Sequence, residues 1–163
     1  MTRRVQISVI GKGARDEGLA PIAEEVGRRL AEAGAVVVCG GLTGVMEATA
    51  RGVSTAGGTV IGVIPSSDAE DANPYCTHVI ATGIGQARNL AVVSSGDAVI
   101  AVGGEWGTLS EIAYARALGR AVVAIESWQL SGTGAMSGGP GIEIASDPAT
   151  AVEMALERAG SPA

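Results

Sequence analysis

The chain has 163 residues, of which 47% are hydrophobic and 17% are charged, and its net charge at pH 7 is −6. This composition is typical of a globular protein and excludes a disordered one, while the acidic balance disfavours a nucleic acid polymer as the partner. The apolar runs are shorter than the ~18 residues of a membrane span, so we expect one globular domain over residues 1–163 that contacts no membrane.

Short apolar runs alternate with segments of helical periodicity along the whole chain. The runs predict strands, and apolar residues at three- and four-residue spacing predict helices that end at glycines such as Gly34 and Gly119. The predicted strands are Val5–Ile10, Ala35–Cys39, Thr59–Ile64, His78–Ala81, Asp97–Val102, Ala121–Ile125 and Ile142–Ile144. The predicted helices are Leu19–Ala33, Val45–Ala56, Gln86–Ser95, Thr108–Leu118 and a last one opened by Ser146-Asp147-Pro148, with loops at Ser66–Cys76 and Ser131–Gly141.

The predicted strands are continuous apolar runs rather than alternating ones. Such runs are typical of a parallel sheet with both faces covered, and right-handed βαβ crossovers place helices on both faces. The sequence therefore predicts an α/β fold, in which a Rossmann-like, doubly wound parallel sheet is the middle layer of a three-layer α/β/α sandwich.

The first predicted strand is followed by Gly11-Lys12-Gly13, which begins like a dinucleotide-binding pattern. The third glycine of that pattern is missing because Asp16 stands in its place, and no Gly-Lys-Ser/Thr sequence follows a strand. We therefore interpret this turn as neither an NAD site nor a P-loop.

Two further glycine-rich turns, Gly40–Gly44 and Gly103–Thr108, each join the end of a predicted strand to the start of a helix. Ligands of open α/β sheets bind beyond the carboxyl ends of the strands, where glycines let backbone amides approach an anion. One such turn is explained by chain geometry alone, but two on one sheet favour a phosphate or nucleotide site. The candidate ligand-binding residues are Gly40, Gly41, Gly44, Gly103, Gly104, Gly107 and Thr108.

Arg88 and Glu111 are the candidate charged residues of this site. Arg88 lies near the start of a predicted helix, where a cation is unfavourable for the dipole, so we expect it to face an anion, either an ion-pair partner or a substrate. Glu111 has two interpretations, because Thr108 and Glu111 match a capping box and a catalytic carboxylate gives the same pattern. Trp106, inside the third turn, is either a wall for a ligand ring or a packing residue.

Two cysteines, Cys39 and Cys76, are too few for a disulfide framework and favour a reducing, cytoplasmic location. Cys76 and His78 are suitable metal ligands, but no third ligand lies near them in the sequence. We therefore expect no metal site.

Four segments taken together resemble the Lonely Guy (LOG) superfamily, whose members are also labelled lysine decarboxylase-like. They are Gly40–Glu47, Gly57–Pro65, Arg88 and Gly103–Glu111. In the family, the last of these is a Pro-Gly-Gly-x-Gly-Thr-x-x-Glu motif, and the arginine lies upstream of it. The resemblance extends in order over about residues 5–125.

The resemblance implies a nucleotide-binding Rossmann domain that forms a homodimer or a higher homo-oligomer. Lonely Guy enzymes are phosphoribohydrolases, which cleave the N-glycosidic bond of cytokinin-type nucleoside 5′-monophosphates. By resemblance, Arg88 and Glu111 are the catalytic residues, and the phosphate-binding turn corresponds to Gly104, Gly107 and Thr108.

The chain departs from the family pattern at three positions. Gly103 stands where the family has Pro, Glu105 where it has the second Gly, and Asn89 where the residue after the arginine is usually Lys. In these features the chain looks more like a compact subgroup that includes the molybdenum cofactor carrier proteins. That resemblance implies a carrier or sensor for a small phosphorylated ligand, either a nucleotide or molybdenum cofactor. Such a protein holds the ligand as cargo, so no cofactor is required for its role. The alternative function is the phosphoribohydrolase.

Lysine decarboxylase activity is disfavoured on chemical grounds. It needs pyridoxal phosphate on a Schiff-base lysine. Lys12, the one lysine of the sequence, lies in the first βα turn without a recognisable cofactor context.

Overall fold

The computed structural model describes residues 3–128 and 141–160, so residues 131–140 of the predicted loop Ser131–Gly141 lie outside the described residues. The strands are β1 (Gln6–Gly11), β2 (Val36–Cys39), β3 (Thr59–Ile64), β4 (His78–Ala81), β5 (Ala98–Val102), β6 (Ala121–Ile125) and β7 (Ile142–Ile144). The helices are α1 (Leu19–Glu32), α2 (Val45–Thr55), α3 (Arg88–Ser95), α4 (Trp106–Ala117) and α5 (Pro148–Gly160). None of the helices in this described part of the chain is long and apolar enough to cross a membrane.

The strands form one sheet in the order β4-β3-β2-β1-β5-β6-β7, and each neighbouring pair is parallel. The chain builds outward from β1 to β4 on one side and then returns to β5 on the other side of β1. The strand order therefore reverses between β1 and β5, and such a reversal opens a crevice at the carboxyl ends of the two strands. The predicted doubly wound parallel sheet is confirmed.

Helices α1, α2 and α5 cover one face of the sheet, and α3 and α4 cover the other. Successive side chains of a central strand alternate between the two resulting cores. In β5, Ile100 packs into the core under α1, α2 and α5, whereas Val99 and Ala101 pack into the core under α3 and α4. Every residue of β5 is buried, which explains why the strand is a continuous apolar run.

Two predicted helix starts differ from the structure. The segment predicted as one helix over Gln86–Ser95 is divided into a 3₁₀ turn at Gly85–Ala87 and helix α3, which begins at Arg88. Helix α4 begins at Trp106, two residues before the predicted start at Thr108. Both differences lie beside the glycine-rich crevice and therefore affect which side chains reach it.

Helices α1 and α2 are in backbone contact through glycine. A Cβ atom at Gly52 would lie 2.0 Å from the carbonyl oxygen of Glu24, a backbone atom that cannot rotate away. Gly52→Ala must therefore push the helices apart, and we expect its free energy of unfolding in urea to fall by ~1–3 kcal/mol, although alanine favours a helix. Gly160→Ala, where an added Cβ meets nothing within 4 Å, is the control. If Gly52→Ala has the same free energy of unfolding as the native protein, the close packing of the two helices is contradicted.

Candidate functional site

A cleft of about 200 Å³ opens at the carboxyl ends of the central strands, where the strand order reverses. Its walls are the turns after β1, β2 and β5 and the starts of α3 and α4. It is lined by Ile10, Gly11, Gly13, Gly40, Leu42, Met46, Gln86, Arg88, Asn89, Glu105, Gly107, Thr108 and Glu111.

Two larger grooves, of about 270 and 500 Å³, lie on the outer surface between α1 and α2. Their charged groups pair with one another, as Arg15 does with Glu47 at 3.6 Å and Arg28 with Glu25 at 2.6 Å. Neither groove presents a buried unpaired charge among the described residues, so the cleft at the strand ends is the better candidate site.

Arg88 places a buried positive charge in this cleft. The residue is 4% exposed, and burial lowers the pKa of its guanidinium group, a shift that nearby Glu111 opposes. Nη1 donates a hydrogen bond to Asn89 Oδ1, whereas Nε is buried without a hydrogen-bond partner. The ion pairs within the described part of the chain include neither Arg88 nor Glu111. Because arginine stays protonated in proteins, the cleft contains a cation without a direct counter-ion.

Gly40 allows the guanidinium group of Arg88 to lie against the backbone at the end of β2. A Cβ atom at position 40 would be 3.0 Å from Arg88 Nη2 and 2.5 Å from Met46 Sδ. At the opposite wall, a Cβ atom at Gly107 would meet nothing within 4 Å. Glycine at position 107 therefore leaves the first turn of α4 open to a ligand.

Glu111 lies in the second turn of α4 and is 7% exposed in the same cleft. Burial raises the pKa of its carboxyl group to about 7, and the positive charge of Arg88 opposes the rise. At neutral pH this carboxyl group is therefore close to half protonated, so it can donate as well as accept a hydrogen bond. The pair can balance the charge of a bound anion and exchange a proton with it.

Glu111 does not cap helix α4. Because the helix begins at Trp106, the N-cap residue is Glu105, and its backbone N–H donates to Thr108 Oγ1 at 3.4 Å. The capping box therefore joins Glu105 and Thr108, and the interpretation of Thr108 and Glu111 as a capping box is wrong.

The cleft brings together five of the predicted site residues. They are Gly40, Arg88, Gly107, Thr108 and Glu111. They come from three separate segments of the sequence, which meet because β2 and β5 flank β1 in the sheet.

Gly41, Gly44, Gly103 and Gly104 belong to the same turns but do not line the cleft. The first three have φ values of 70°, 67° and 61°, a conformation that favours glycine. A Cβ atom at Gly104 would lie 2.7 Å from the ring of Trp128. Chain geometry and packing therefore account for glycine at these four positions.

The end of β1 supplies Gly11 and the turn after it supplies Gly13, which the sequence patterns did not single out as site residues. The position of β1 beside β5 is the signal that would have identified them. Asp16 accepts two backbone N–H groups at the start of α1, at 3.0 and 3.1 Å, so its own carboxylate pairs with amides that an anion would otherwise meet there. Lys12 Nζ pairs with Asp16 at 3.0 Å.

Two amide side chains, Gln86 and Asn89, also line the cleft on either side of Arg88. The sequence marked Asn89 as a departure from a family pattern and gave no role for Gln86. Adjacent residues of a helix do not ordinarily face each other, so the contact between Arg88 and Asn89 had no signal in the sequence.

Trp106 is 77% exposed and does not line the cleft. Its ring contacts that of Trp128, with the centroids 5.5 Å apart and the planes at 36°. Trp128 Nε1 also donates to the carbonyl oxygen of Glu105 at 3.3 Å. Of the two interpretations of Trp106, the structure supports packing.

The cysteines and acidic residues form no cluster that could hold a metal ion within residues 3–128 and 141–160. Cys39 is a buried free thiol, and Cys76 is a partly buried one.

Glu111→Gln is expected to stabilise the free protein above neutral pH. The pKa of Glu111 is about 7 when folded, against an ordinary value of 4.5, so the unfolded chain loses this proton first as the pH rises. The contribution of the protonated form to stability is therefore complete below pH 4.5 and is lost by pH 7. Urea unfolding should show the variant ~1–3 kcal/mol more stable than the native chain at pH 8 and no more stable at pH 4.5. The same pH dependence in both proteins would contradict a buried carboxyl group at this position.

Comparison with known proteins gives a family and close structural relatives. The model of the SLOG cluster4 family matches residues 4–152. An uncharacterized protein of Archaeoglobus fulgidus is 45% identical over 122 residues, which are 75% of this chain and 80% of that protein. The molybdenum cofactor binding protein of the phototrophic bacterium Rippkaea orientalis matches with a TM-score of 0.85 and 30% identity over 96% of this chain and 98% of its own. The molybdenum cofactor carrier protein of Chlamydomonas reinhardtii matches with a TM-score of 0.82 and 27% identity, over 98% and 100% of the two chains.

Proposed function

The chain belongs to the SLOG cluster4 family, and we propose that it is a carrier that binds a small phosphorylated, nucleotide-like molecule in its cleft. Molybdenum cofactor is the ligand that the relatives favour, since two similar structures are described as proteins that bind or carry it. A nucleotide is the second ligand class. A carrier holds its cargo without breaking a bond, so the role requires affinity and no resident cofactor.

The buried charge of Arg88 is the observation on which this proposal rests. A buried cation without a direct counter-ion is unfavourable in the free protein, and the phosphate of a ligand would supply the missing anion through charge-assisted hydrogen bonds. The cleft measures about 200 Å³, below the ~300–1,000 Å³ of pockets that enclose a whole ligand. We therefore infer that it holds the phosphate end and leaves the ring system at the mouth.

The remaining groups of the cleft suit the same ligand. Gly107 and Thr108 lie in the first turn of α4, where the helix dipole and the backbone N–H groups outside the capping box of Glu105 and Thr108 favour an anion. The amide side chain of Gln86 combines donors and an acceptor, as the edge of a purine or pterin ring requires, and Asn89 offers its NH₂ donors. Gly40, Gly41, Gly44, Gly103 and Gly104 shape the turns that bring these groups together.

Calorimetric titration tests the carrier function. AMP, GMP and molybdenum cofactor released from a molybdoenzyme are added to the native protein, with adenosine as the control that lacks a phosphate. We expect at least one phosphorylated ligand to bind and to remain chemically unchanged, while adenosine binds at least ~10-fold more weakly. Equal affinity for AMP and adenosine, with no binding of the cofactor, would contradict the proposal.

A phosphoribohydrolase is the second candidate function, because Glu111 shares the cleft with Arg88. In its ionised form this carboxylate would stabilise the oxocarbenium-like ribose as the base departs, and Arg88 would orient the phosphate-bearing substrate. Release of free base from AMP or from an adenine-modified monophosphate, lost in Glu111→Gln, would establish this activity. If no monophosphate in a panel of substrates releases its base, this activity is contradicted and the carrier function remains.

We further propose that the chain forms a homodimer or a higher homo-oligomer through α3 and α4. Three large apolar side chains on these two helices are exposed, namely Leu90 at 44%, Trp106 at 77% and Tyr114 at 48%, and so is Leu118, the C-cap of α4, at 48%. Tyr114 and Leu118 are four residues apart and therefore lie on the same side at the carboxyl end of α4. Light scattering during gel filtration should give a mass of at least twice 16.1 kDa; a monomer would contradict this proposal.

The two free thiols support a reducing cytoplasmic location. Fractionation of cells that express the protein should recover it in the cytoplasmic extract. Recovery from an oxidising compartment would contradict this assignment.

A further inference from the structure

The hydrogen-bond partner of Arg88 in the cleft is a neutral amide. Arg88 Nη1 donates to Asn89 Oδ1, and the two residues are 4% and 8% exposed. Because arginine has no acceptor atom, the oxygen of the amide must face it, which leaves the Asn89 NH₂ group with two donors at the cleft wall. Surface arginines are held differently: Arg28 and Arg158, for example, each bind a carboxylate.

We propose that Asn89 is a specificity-determining positioning residue, which fixes the direction of the Arg88 guanidinium group without neutralising its charge. The proposal rests on the proposed function, since it concerns how the cleft selects an anionic ligand. A ligand phosphate then meets a guanidinium group that is already oriented and still uncompensated. The ordering of a long side chain, which costs rotamer entropy, is complete before the ligand arrives.

Other residue types at position 89 would each lose one part of this arrangement. Aspartate would keep an acceptor for Arg88 but would form a buried ion pair with it, so that an incoming phosphate must compete with an internal anion. Leucine is close to asparagine in size and would not neutralise the charge of Arg88. It would, however, remove the acceptor of Arg88 Nη1. Lysine would add a second cation and favour more highly charged ligands. Asparagine both orients the guanidinium group and preserves its charge.

The charges that face Arg88 in the cleft support this interpretation. Glu111 and Glu105 are the two carboxyl groups that line the cleft, and neither forms an ion pair with Arg88. Glu105 lies at the N-cap of α4, whereas Asn89 lies on α3. The neutral contact with Asn89 is therefore the direct hydrogen bond that holds the guanidinium group within the described part of the chain.

Asn89→Asp tests the proposal by changing charge at almost constant shape. The probe is whichever of AMP, GMP and released molybdenum cofactor binds the native protein best, and affinity is measured by calorimetry. We expect Asn89→Asp to weaken binding at least ~30-fold and Asn89→Leu about 10-fold. Because the aspartate compensates a buried charge, Asn89→Asp is also expected to melt no lower than the native protein, so that stability and affinity change independently.

Gln6→Glu is the matched control, because Gln6 Oε1 also accepts a hydrogen bond from an arginine, Arg3 Nη1 at 2.7 Å, but Gln6 lies at the start of β1 and does not line the cleft. We expect it to bind within about twofold of the native affinity, as exposed charges away from a site do. Binding by Asn89→Asp within about threefold of the native affinity, or an equal loss in Gln6→Glu, would overturn the role of Asn89 and leave the carrier function standing. A native protein that binds none of the three probes would overturn both.

Discussion

Arg88→Met is expected to weaken binding of the phosphorylated ligand by at least ~100-fold, the largest effect of a single substitution in the cleft. Removal of one partner of a buried, hydrogen-bonded charge pair costs ~2–5 kcal/mol. Methionine approximates the length of the arginine side chain and has no charge, so the phosphate would enter a cleft without its cation. The free protein also loses a buried Nε that has no hydrogen-bond partner, and we therefore expect it to melt at or above the native temperature.

Arg120→Met is the matched control for this experiment. Arg120 also has a buried Nε without a partner, and its Nη2 donates to the carbonyl oxygen of Ser94 at 3.3 Å, but it does not line the cleft. Calorimetry should give this variant native affinity within a factor of about two. Native affinity of Arg88→Met would contradict the assignment of Arg88 to the ligand phosphate.

Ligand affinity is expected to fall as the pH rises above 7, by about 10-fold between pH 7 and pH 8.5. Burial has raised the pKa of Glu111 to about 7 in the free cleft, and a bound anion beside it would raise that pKa further. Binding therefore takes up a proton in this range, and deprotonation of Glu111 opposes it. The other cleft charges are Arg88, which does not titrate here, and Glu105 on the wall. The phosphate itself is ionised above its second pKa near 6.

Glu111→Gln should remove this pH dependence, because glutamine stays neutral, while it keeps the affinity that the native protein has at pH 6. Titration of both proteins at three pH values measures the effect. The phosphoribohydrolase predicts the opposite trend, because its carboxylate must be ionised and base release would increase through pH 7. A native affinity that does not change from pH 6 to pH 8.5 would contradict the position of Glu111 beside the bound anion.

The sheet could be predicted from the sequence because a parallel strand buried on both faces leaves a continuous apolar run. Strands β3 and β6 begin and end at the predicted residues Thr59, Ile64, Ala121 and Ile125. The last helix also begins at the predicted position, since Asp147 accepts the N–H of Thr150 at 2.8 Å and caps it. Such signals are local and therefore visible without coordinates.

The composition of the cleft depends on contacts between distant segments and was only partly predictable. Gly11 and Gly13 line it because β1 is adjacent to β5, a relation set by the order of the strands. The sequence left Glu111 with two interpretations, and the capping one fails because α4 begins at Trp106 rather than at Thr108, which places Glu105 and Thr108 in the capping box. The sequence also could not show whether a glycine is needed for the conformation of a turn or for the approach of a ligand. That distinction came from the φ values and from the atoms that an added Cβ would meet.

Mass spectrometry of the small molecules released from the native protein and from Arg88→Met tests the central claim most directly. Both proteins are purified from the same host, one that makes molybdenum cofactor, and are then denatured. We predict a phosphorylated heterocycle, either a nucleotide or a derivative of the cofactor, from the native protein and less than about one tenth of that amount from the variant. Equal amounts from the two proteins, or no phosphorylated molecule from the native protein, would contradict a carrier that holds its ligand through Arg88.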